Sequence, residues 1–386
     1  MAYIFLFIAI VFLIAAHWLV YDFFVRSFSA SSKRGKNIWR LLFFFLPIGF
    51  ILSSILVRWQ EILLTKILYF VFSLWLGVLI NFLLAIGAAW LITGAAEALG
   101  KKINRSVVGV AVLLIVLLYS GYGVFNALSP AVKRITVSVG GLPKEWQGKT
   151  IVQISDLHLG EILGKNFLNR VLNRVNSLNP EMVVITGDLF DGMDGNLDAF
   201  VGILNGFNAP KGVYYVTGNH EIYLGMEDAL TALKKTKINV LDNEIAEIDG
   251  LQIIGVSYPG LNPGEDEENI INSYNQEKPS ILLYHAPVDI FSSQTNGNNS
   301  HKDIYLSPNT DFTAVKKLGI DLQLSGHTHG GQIFPFNLIT KLIYHGHDYG
   351  LNRDGDFTLY TTSGTGVWGP TMRTGSRGEI VLITLK

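Results

Sequence analysis

The 386-residue sequence contains no cysteine, and charged residues make up only 16% of it. The absence of cysteine excludes disulfide bonds, thiolate nucleophiles and cysteine-ligated zinc. The formal net charge is −1. Because the chain has no overall positive field, we expect no nucleic-acid partner, and any recognition of an anion must be local.

The scarcity of charge is concentrated in the first third of the chain, where long apolar runs cover residues 2–21, 41–57, 67–91 and 107–128. A hydrocarbon core of about 30 Å needs roughly 20 apolar residues in helical form. The sequence therefore predicts an integral membrane protein of a bacterial cell membrane, with a transmembrane helical domain of about four spans over residues 1–130. Two alternatives are a cleaved signal peptide in the first run and a break of the third run near Gly87.

Basic residues are concentrated in the first and third loops between these runs. The positive-inside rule places both loops in the cytoplasm, and an even number of spans returns the chain to its starting side. The catalytic domain is then expected outside the cytoplasm. Lys133 and Arg134, after the last run, argue weakly for the opposite orientation.

From residue 131 to residue 386, β-rich runs alternate with amphipathic helical stretches, which is typical of an α/β domain. Apolar residues repeat at helical spacing across 167–178 and predict a crossover helix. The polar stretches 260–279 and 292–309 are expected on the surface. Five short runs read as buried strands: 151–154, 182–185, 213–216, 281–283 and 322–324.

Residues that can bind metals follow each of these five strands. Side chains at the carboxyl ends of strands in an open α/β sheet converge on one crevice, so these clusters are expected to meet. In chain order the clusters are Asp156-Leu157-His158, Gly187-Asp188, Gly218-Asn219-His220-Glu221, His285 and Gly326-His327-Thr328-His329.

The chemistry of these groups indicates a transition-metal site. Carboxylates, imidazoles and a carboxamide without thiols suit manganese, iron or zinc better than calcium, and magnesium is less suited to so many histidines. If the strand continues through Asp156-x-His158, both side chains point to one face. The same holds for His327-x-His329, unless the turn rotates the two rings toward neighbouring ions.

These clusters together resemble the signature of the calcineurin-type metallophosphoesterases, over roughly residues 135–386. The Gly326-His-Thr-His-Gly-Gly-Gln332 segment and the late Ser363-Gly-Thr-Gly-Val-Trp-Gly-Pro370 segment are similar to the YkuE-like branch of that family. The resemblance implies an α/β sandwich in which two packed β-sheets are flanked by helices.

The resemblance also implies two metal ions. Asp156, His158 and His329 would bind one ion, Asp188 would bridge, and Asn219, His285 and His327 would complete the second. A shared carboxylate can hold two cations about 3.5 to 4 Å apart, where a metal-activated hydroxide attacks phosphorus. His220 would then protonate the leaving oxygen, with Asn219 beside it in the reaction site. The alternative for His220 is a purely structural hydrogen bond, and Glu221 is expected to be a packing partner.

The function predicted is hydrolysis of a phosphate ester or pyrophosphate by a membrane-anchored enzyme. The substrate is a phosphorylated small molecule or a lipid-linked phosphate, with membrane lipids as partners. Hydrolysis of soluble nucleotides or other soluble phosphoesters is the alternative, and a catalytically silent membrane sensor or scaffold is a third reading. The resembled families include UDP-diacylglucosamine pyrophosphatases, which act at the cytoplasmic face and so conflict with the predicted orientation.

Several other sequence patterns are not counted among the predicted metal ligands. The 364–369 segment matches a dinucleotide-binding string, but Pro370 follows it and no βαβ unit has room there. The 191–198 segment lacks the spacing of a calcium loop and is expected to be a polar turn. His345 and His347 lie outside the signature. Arg373 is expected to contact substrate phosphate, or else to form an exposed salt bridge.

Overall fold

The computed structural model describes residues 2–28, 33–60, 62–192, 196–258, 265–291 and 304–386. The chain forms two compact units, one of residues 1–125 with 369–374 and the other of residues 126–368 with 375–386. The predicted boundary after residue 130 thus lies a few residues inside the second unit. Near its end the chain also returns once to the first unit, which the sequence did not indicate.

Among the described residues, four helices are long and apolar enough to span a membrane. Helix α3 is continuous over 36 residues and runs straight through Gly87, so the alternative of a break at that glycine is wrong. The predicted number of long apolar helices is confirmed. They are α1 (Ala2–Ser27), α2 (Lys33–Trp59), α3 (Leu63–Ala98) and α4 (Arg105–Leu128).

The second unit contains two six-stranded sheets. The first has the order β1-β12-β2-β3-β4-β5 and the second the order β10-β11-β9-β8-β7-β6. The strands of the first sheet are β1 (Ala131–Val137), β2 (Thr150–Ile154), β3 (Met182–Thr186), β4 (Val213–Val216), β5 (Asn239–Val240) and β12 (Glu379–Leu385). Those of the second are β6 (Glu244–Ile248), β7 (Leu251–Gly255), β8 (Ser280–Leu283), β9 (Leu322–Ser325), β10 (Gly350–Asp354) and β11 (Phe357–Thr361).

The two sheets pack face to face around one apolar core. Ile151 and Val184 of the first sheet belong to the same buried cluster as Ile281 and Leu324 of the second. Further clusters cover the outer face of each sheet. The helices of this unit are α5 (Lys165–Asn176), α6 (Asp198–Leu204), α7 (Asn219–Leu224), α8 (Met226–Leu233), α9 (Glu265–Ser273), α10 (Thr313–Lys317) and α11 (Phe336–Ile343).

This architecture confirms the predicted α/β sandwich of two sheets flanked by helices. All five predicted strands are present as β2, β3, β4, β8 and β9. The predicted crossover helix is α5, which buries Phe167 and Val171 and ends at Asn176. The 260–279 stretch differs from a surface loop, because α9 forms within it and buries Ile270. Residues 259–264 and 292–303 of the two predicted surface stretches lie outside the described residues.

Candidate metal centre

The predicted ligands lie just beyond the carboxyl ends of neighbouring parallel strands. Strands β2, β3 and β4 are parallel in one sheet, and β8 and β9 are parallel in the other. Each strand is largely buried, and the residues that can bind metals follow directly after it. The structure therefore gathers at one edge side chains that are up to 173 positions apart, from Asp156 to His329.

The first group consists of Asp156, His158 and His329, three side chains that can share one metal ion. The Nε2 atoms of His158 and His329 are 3.0 Å apart. His329 Nε2 lies 3.5 Å from Asp156 Oδ1. Both Asp156 and His158 are buried. These are the three residues predicted to bind the first ion.

The second group consists of Asn219, His285 and His327. His327 Nδ1 is 2.9 Å from Asn219 Oδ1 and 3.2 Å from His285 Nε2. His285 Nε2 is also 3.2 Å from Asn219 Oδ1. The three residues predicted to complete the coordination of the second ion thus converge through the nitrogen and oxygen atoms that carry lone pairs.

Asp188 lies between the two groups. Its Oδ2 atom is 3.2 Å from His285 Nε2 in the second group and 3.8 Å from His158 Nε2 in the first. One carboxylate oxygen therefore reaches toward both groups. This is the position that a bridging carboxylate requires.

The ligand residues adopt a backbone conformation that the strand-based prediction did not anticipate. Strand β2 ends at Ile154, so Asp156 and His158 follow the strand instead of lying in it. Positive φ angles occur at five of the seven predicted ligands: Asp156 (51°), His158 (47°), Asp188 (49°), His327 (74°) and His329 (53°). The argument from strand alternation is therefore wrong, and left-handed turns bring these side chains together instead. Such conformations are uncommon outside glycine and cluster at functional sites.

The left-handed turn at His327 and His329 also explains why these two rings belong to different groups. His327 points to Asn219, and His329 points to His158. The alternative stated for this pair, that the turn rotates the rings toward neighbouring ions, is the arrangement observed.

Glycine is required where the ligand loops approach each other. A Cβ atom on Gly187 would lie 2.4 Å from His285 Nδ1, and one on Gly218 would lie 2.2 Å from Asp188 Oδ1. Any side chain at either position would displace a predicted ligand. Glycine at these two positions therefore permits the close approach of the ligand loops.

The electrostatics of the site follow from burial and from charge. Burial raises the pKa of the Asp156 carboxyl to about 6. Burial also disfavours the charge of Asp188, but positive charge on His285 outweighs it and holds the pKa of Asp188 well below its usual range. Burial opposes protonation of His285, yet the Asp188 carboxylate raises the pKa of His285 to about 9. When no metal is bound, the proton on His285 therefore lies where the acceptor atoms of the cluster converge.

The donor set fits a cation. His285 Nδ1 is 2.8 Å from the Thr186 carbonyl, to which it donates as N–H, so Nε2 faces the site as a lone pair when the ring is neutral. That lone pair meets acceptor atoms of Asp188, Asn219 and His327. Burial lowers the pKa of His327 to about 3, so this ring is neutral at physiological pH. Converging acceptors of this kind are satisfied by a bound metal ion.

His220 lies beside both ligand groups. Its ring nitrogens are not among the atoms that converge in the second group. Its backbone N–H donates to Asp188 Oδ1 at 2.9 Å, and its Nδ1 lies 2.6 Å from the Asp191 carbonyl oxygen. Nδ1 is therefore the protonated donor of that bond, and Nε2 is the atom left for chemistry. The His220 ring lies edge-on to the His158 ring, 4.5 Å between centroids.

Asp191 is a site residue that the sequence reasoning missed, because it was assigned to a polar turn. Its side chain is buried, and its Oδ1 atom lies 3.9 Å from His158 Nδ1. Asp191 also groups with His158 and His220 as a possible set of metal ligands. Its position three residues after Asp188, at the same strand end, was the available signal.

Glu221 stabilises the ligand loops. Its Oε2 atom accepts hydrogen bonds from the backbone N–H groups of Gly218 (2.7 Å) and Asp188 (3.1 Å), and its Oε1 atom accepts one from Phe190 (3.1 Å). Glu221 therefore supports the ligand loops through backbone hydrogen bonds.

The glycine-rich segment near the C-terminus packs against the first ligand loop. The N–H of Gly366 donates to the Asp156 carbonyl, and a Cβ on Gly366 would lie 2.2 Å from the Leu157 carbonyl oxygen. The exposed Trp368 ring lies 5.7 Å from the His220 ring, edge-on. These glycines therefore permit close packing beside the site.

Arg373 and the two remaining histidines are placed differently from the predicted ligands. Arg373 is fully buried and belongs to the helical unit, where its N–H donates to the Gly123 carbonyl. Its contact with substrate phosphate stays a prediction, and the exposed salt bridge is wrong. His345 is exposed, with Nδ1 2.9 Å from Thr310 Oγ1, and His347 packs on Phe312.

A two-sheet α/β sandwich with paired His and Asp groups at its strand ends defines a metal-dependent hydrolase of phosphoric esters. The chain belongs to the calcineurin-like metallophosphoesterase family. The family profile, calcineurin-like phosphoesterase, matches residues 149–331, which include Asp156, His285 and His329.

Three relatives illustrate the range of this similarity. An uncharacterized metallophosphoesterase of Campylobacter jejuni is 38% identical over 282 residues, covering 71% of this chain and 68% of that protein. A transmembrane protein with metallophosphoesterase domain of Danio rerio is 32% identical over 323 residues, covering 76% and 69%. The uncharacterized metallophosphoesterase YkuE of Bacillus subtilis is 28% identical over 285 residues, covering 69% and 90%.

Proposed function

We propose that this protein is a membrane-anchored enzyme that uses two divalent transition-metal ions, manganese, iron or zinc, to hydrolyse a phosphate ester or a pyrophosphate. The observation that carries the proposal is the convergence of the two ligand groups on Asp188. When bound, the two ions activate water as a nucleophile and neutralise the charge of the phosphoryl group.

The chain's own residues provide the proton and the positioning. His220, anchored through Nδ1 to the Asp191 carbonyl, donates the proton on Nε2 to the leaving oxygen as the phosphorus–oxygen bond breaks. Water supplies the oxygen that replaces the leaving group. Glu221 keeps the Gly218 and Asp188 backbone in place, so that both ligand groups and His220 remain in register.

We further propose that the catalytic domain lies outside the cytoplasm and that its substrate is a lipid-linked phosphate. Four span-length helices in the same chain support a substrate at the membrane, because tethering raises the encounter rate with headgroups. The exposed rings of Tyr223 and Trp368, which both contact the His220 ring, also support an amphiphilic substrate. Soluble phosphoesters and a silent sensor are the competing readings.

A hydrolysis screen of the full-length protein in lipid nanodiscs tests the proposal. Each of the three metals is supplied separately, and the panel contains soluble nucleotides, nitrophenyl esters and lipid-linked phosphates. The Asp188→Asn protein is the blank, and His345→Gln is the matched control because His345 lies outside both ligand groups. Metal-dependent release of phosphate that is lost only in Asp188→Asn is expected. No hydrolysis of any member of the panel by metal-loaded protein would favour the silent sensor.

A further inference from the structure

Helix α11 has an inverted distribution of polar and apolar residues. None of its residues is buried. Its outward side chains are mainly large and apolar, with exposed fractions of 44% for Phe336, 52% for Leu338, 46% for Ile339 and 76% for Leu342. A helix on the surface of a soluble domain normally turns such residues inward.

The inward side of α11 carries the polar residues Asn337 and Thr340, with Ile343 packed against the core at the end of the helix. Thr340 donates a hydrogen bond from Oγ1 to Asp348 Oδ2 at 3.1 Å. Asn337 sits against two glycines: a Cβ on Gly331 would lie 2.2 Å from the Asn337 nitrogen, and one on Gly375 would lie 3.3 Å from the Asn337 Cβ. These contacts hold the helix with its apolar face outward.

The outward face of α11 is continuous with the border of the metal site. Only residues 332–335 separate the helix from the turn that carries His329. Phe334 within this link is 37% exposed. The side chain of Gln332 bonds to both the N–H and the carbonyl of Trp368, whose 56%-exposed ring lies beside His220. The outward face of α11, Phe334 and Trp368 together form the surface that we call the α11 patch.

Contiguous exposed apolar patches beside a site mark an interaction surface. We propose that the α11 patch inserts into the headgroup region of the lipid bilayer. The span-length helices keep the catalytic domain close to a bilayer, because only Ser129 and Pro130 separate α4 from the first strand of that domain. The patch combines aliphatic side chains with Trp368, and Lys341 lies on the same helix. This composition is typical of segments that lie in the membrane interface.

Docking of this patch has a consequence for catalysis, which rests on the proposed function. The ligand loop at His329 would be held at the level of the headgroups. Phosphates of membrane-embedded molecules would then reach the metal site without leaving the bilayer.

The absence of native cysteine permits a direct test on the full-length protein in nanodiscs. A Leu342→Cys variant carries an environment-sensitive fluorophore, and the nanodisc phospholipids carry a nitroxide near the headgroup. The matched control is Asn169→Cys, an exposed position on α5 of the same domain. We expect a blue-shifted emission and at least about twofold quenching at position 342, with neither at position 169.

Two additional variants make the outcome specific. Phe336→Cys should be quenched like Leu342→Cys, and adding Leu338→Gln to Leu342→Cys should reduce the quenching. Equal, weak quenching at 342, 336 and 169 would overturn the proposal. A blue shift without quenching that disappears on dilution would show that a second copy of the chain covers the patch, and would also overturn it. Adding Asp188→Asn to Leu342→Cys should leave the quenching unchanged, so that failure of docking and failure of hydrolysis are distinguishable.

Discussion

At the scale of residues, the site is built from polar side chains that a left-handed backbone aims into one space. Asp156, His158 and Asp188 each adopt a positive φ angle, a conformation that costs energy for residues other than glycine. Three such residues in two loops, after β2 and after β3, persist only because surrounding contacts impose them. The Glu221 carboxylate, which binds three backbone N–H groups of these loops, is one of those contacts.

The role of His220 can be tested with His220→Gln. The variant should retain the two predicted ions, because His220 belongs to neither of the two ligand groups that adjoin Asp188 and its Nδ1 bonds to the Asp191 carbonyl. Turnover of an alkyl phosphate ester should fall by roughly 100- to 10,000-fold, the usual contribution of a general acid. Turnover of a nitrophenyl ester should fall much less, because its leaving oxygen is stable without a proton.

The comparison of the two esters decides the interpretation. Steady-state rates on both, with metal content measured on the same samples, separate proton donation from a structural effect. Equal losses on the two esters would assign His220 a structural or electrostatic role. His345→Gln should behave like the native protein on both.

The identities of the ligands could be predicted from the sequence, but their geometry could not. Asp156, Asp188 and His285 were visible because each follows a short buried strand, and strand ends converge whatever the details of the loops. The left-handed turns could not be predicted from the sequence. The φ angles of the ligand residues depend on the packing of glycines against ligands that are distant in sequence, such as Gly187 against His285. Asp191 was missed because its segment was interpreted as a polar turn, although its position three residues after Asp188 was an available signal.

At the scale of elements, buried strands were predictable and edge strands were not. Strands β2, β3 and β8 are buried along almost their whole length and consist mainly of apolar residues. By contrast, β6 and β10 are partly exposed edge strands with alternating or mixed polarity. Their pairing is decided by tertiary context, which a single sequence does not display.

The turn that follows β3 provides an element-scale prediction. Gly187→Ala should reduce metal binding and lower turnover by roughly 100-fold, because the new methyl group would displace His285. The matched control is Gly319→Ala, in the loop before β9, which has a similar φ (73° against 85°) but open space around it. Both variants carry about 1 kcal/mol of backbone strain.

Turnover, metal content and melting temperature of the two glycine variants separate strain from displacement. Gly319→Ala should lower the melting temperature slightly and keep native turnover. If Gly187→Ala were no more damaging than Gly319→Ala, the close approach of Gly187 to His285 would not be needed for the site.

At the scale of the whole molecule, the main prediction concerns the orientation of the chain in the membrane. Within the part of the chain that the structure describes, the continuity of α3 through Gly87 leaves an even number of span-length helices before the catalytic domain. Together with the basic first and third loops, this predicts that the domain lies outside the cytoplasm.

Cysteine labelling tests this orientation. Asn169→Cys, on the surface of the catalytic domain, should react with a membrane-impermeant thiol reagent in intact cells, or in spheroplasts if an outer membrane is present. Lys101→Cys, in the loop between α3 and α4, should react only after the cytoplasmic membrane is opened. The reverse pattern would place the catalytic domain in the cytoplasm and favour a pyrophosphatase of cytoplasmic lipid precursors.

The central claim is that Asp188 joins two metal sites into one catalytic centre. Elemental analysis of the purified full-length protein measures this directly, with His345→Gln as the control that leaves both ligand groups intact. We expect about two transition-metal ions per chain in the native and control proteins, and the loss of one or both in Asp188→Asn, because the bridging carboxylate supports each ion. An unchanged metal content in Asp188→Asn, or the absence of bound metal in the native protein after metal supplementation, would contradict the account.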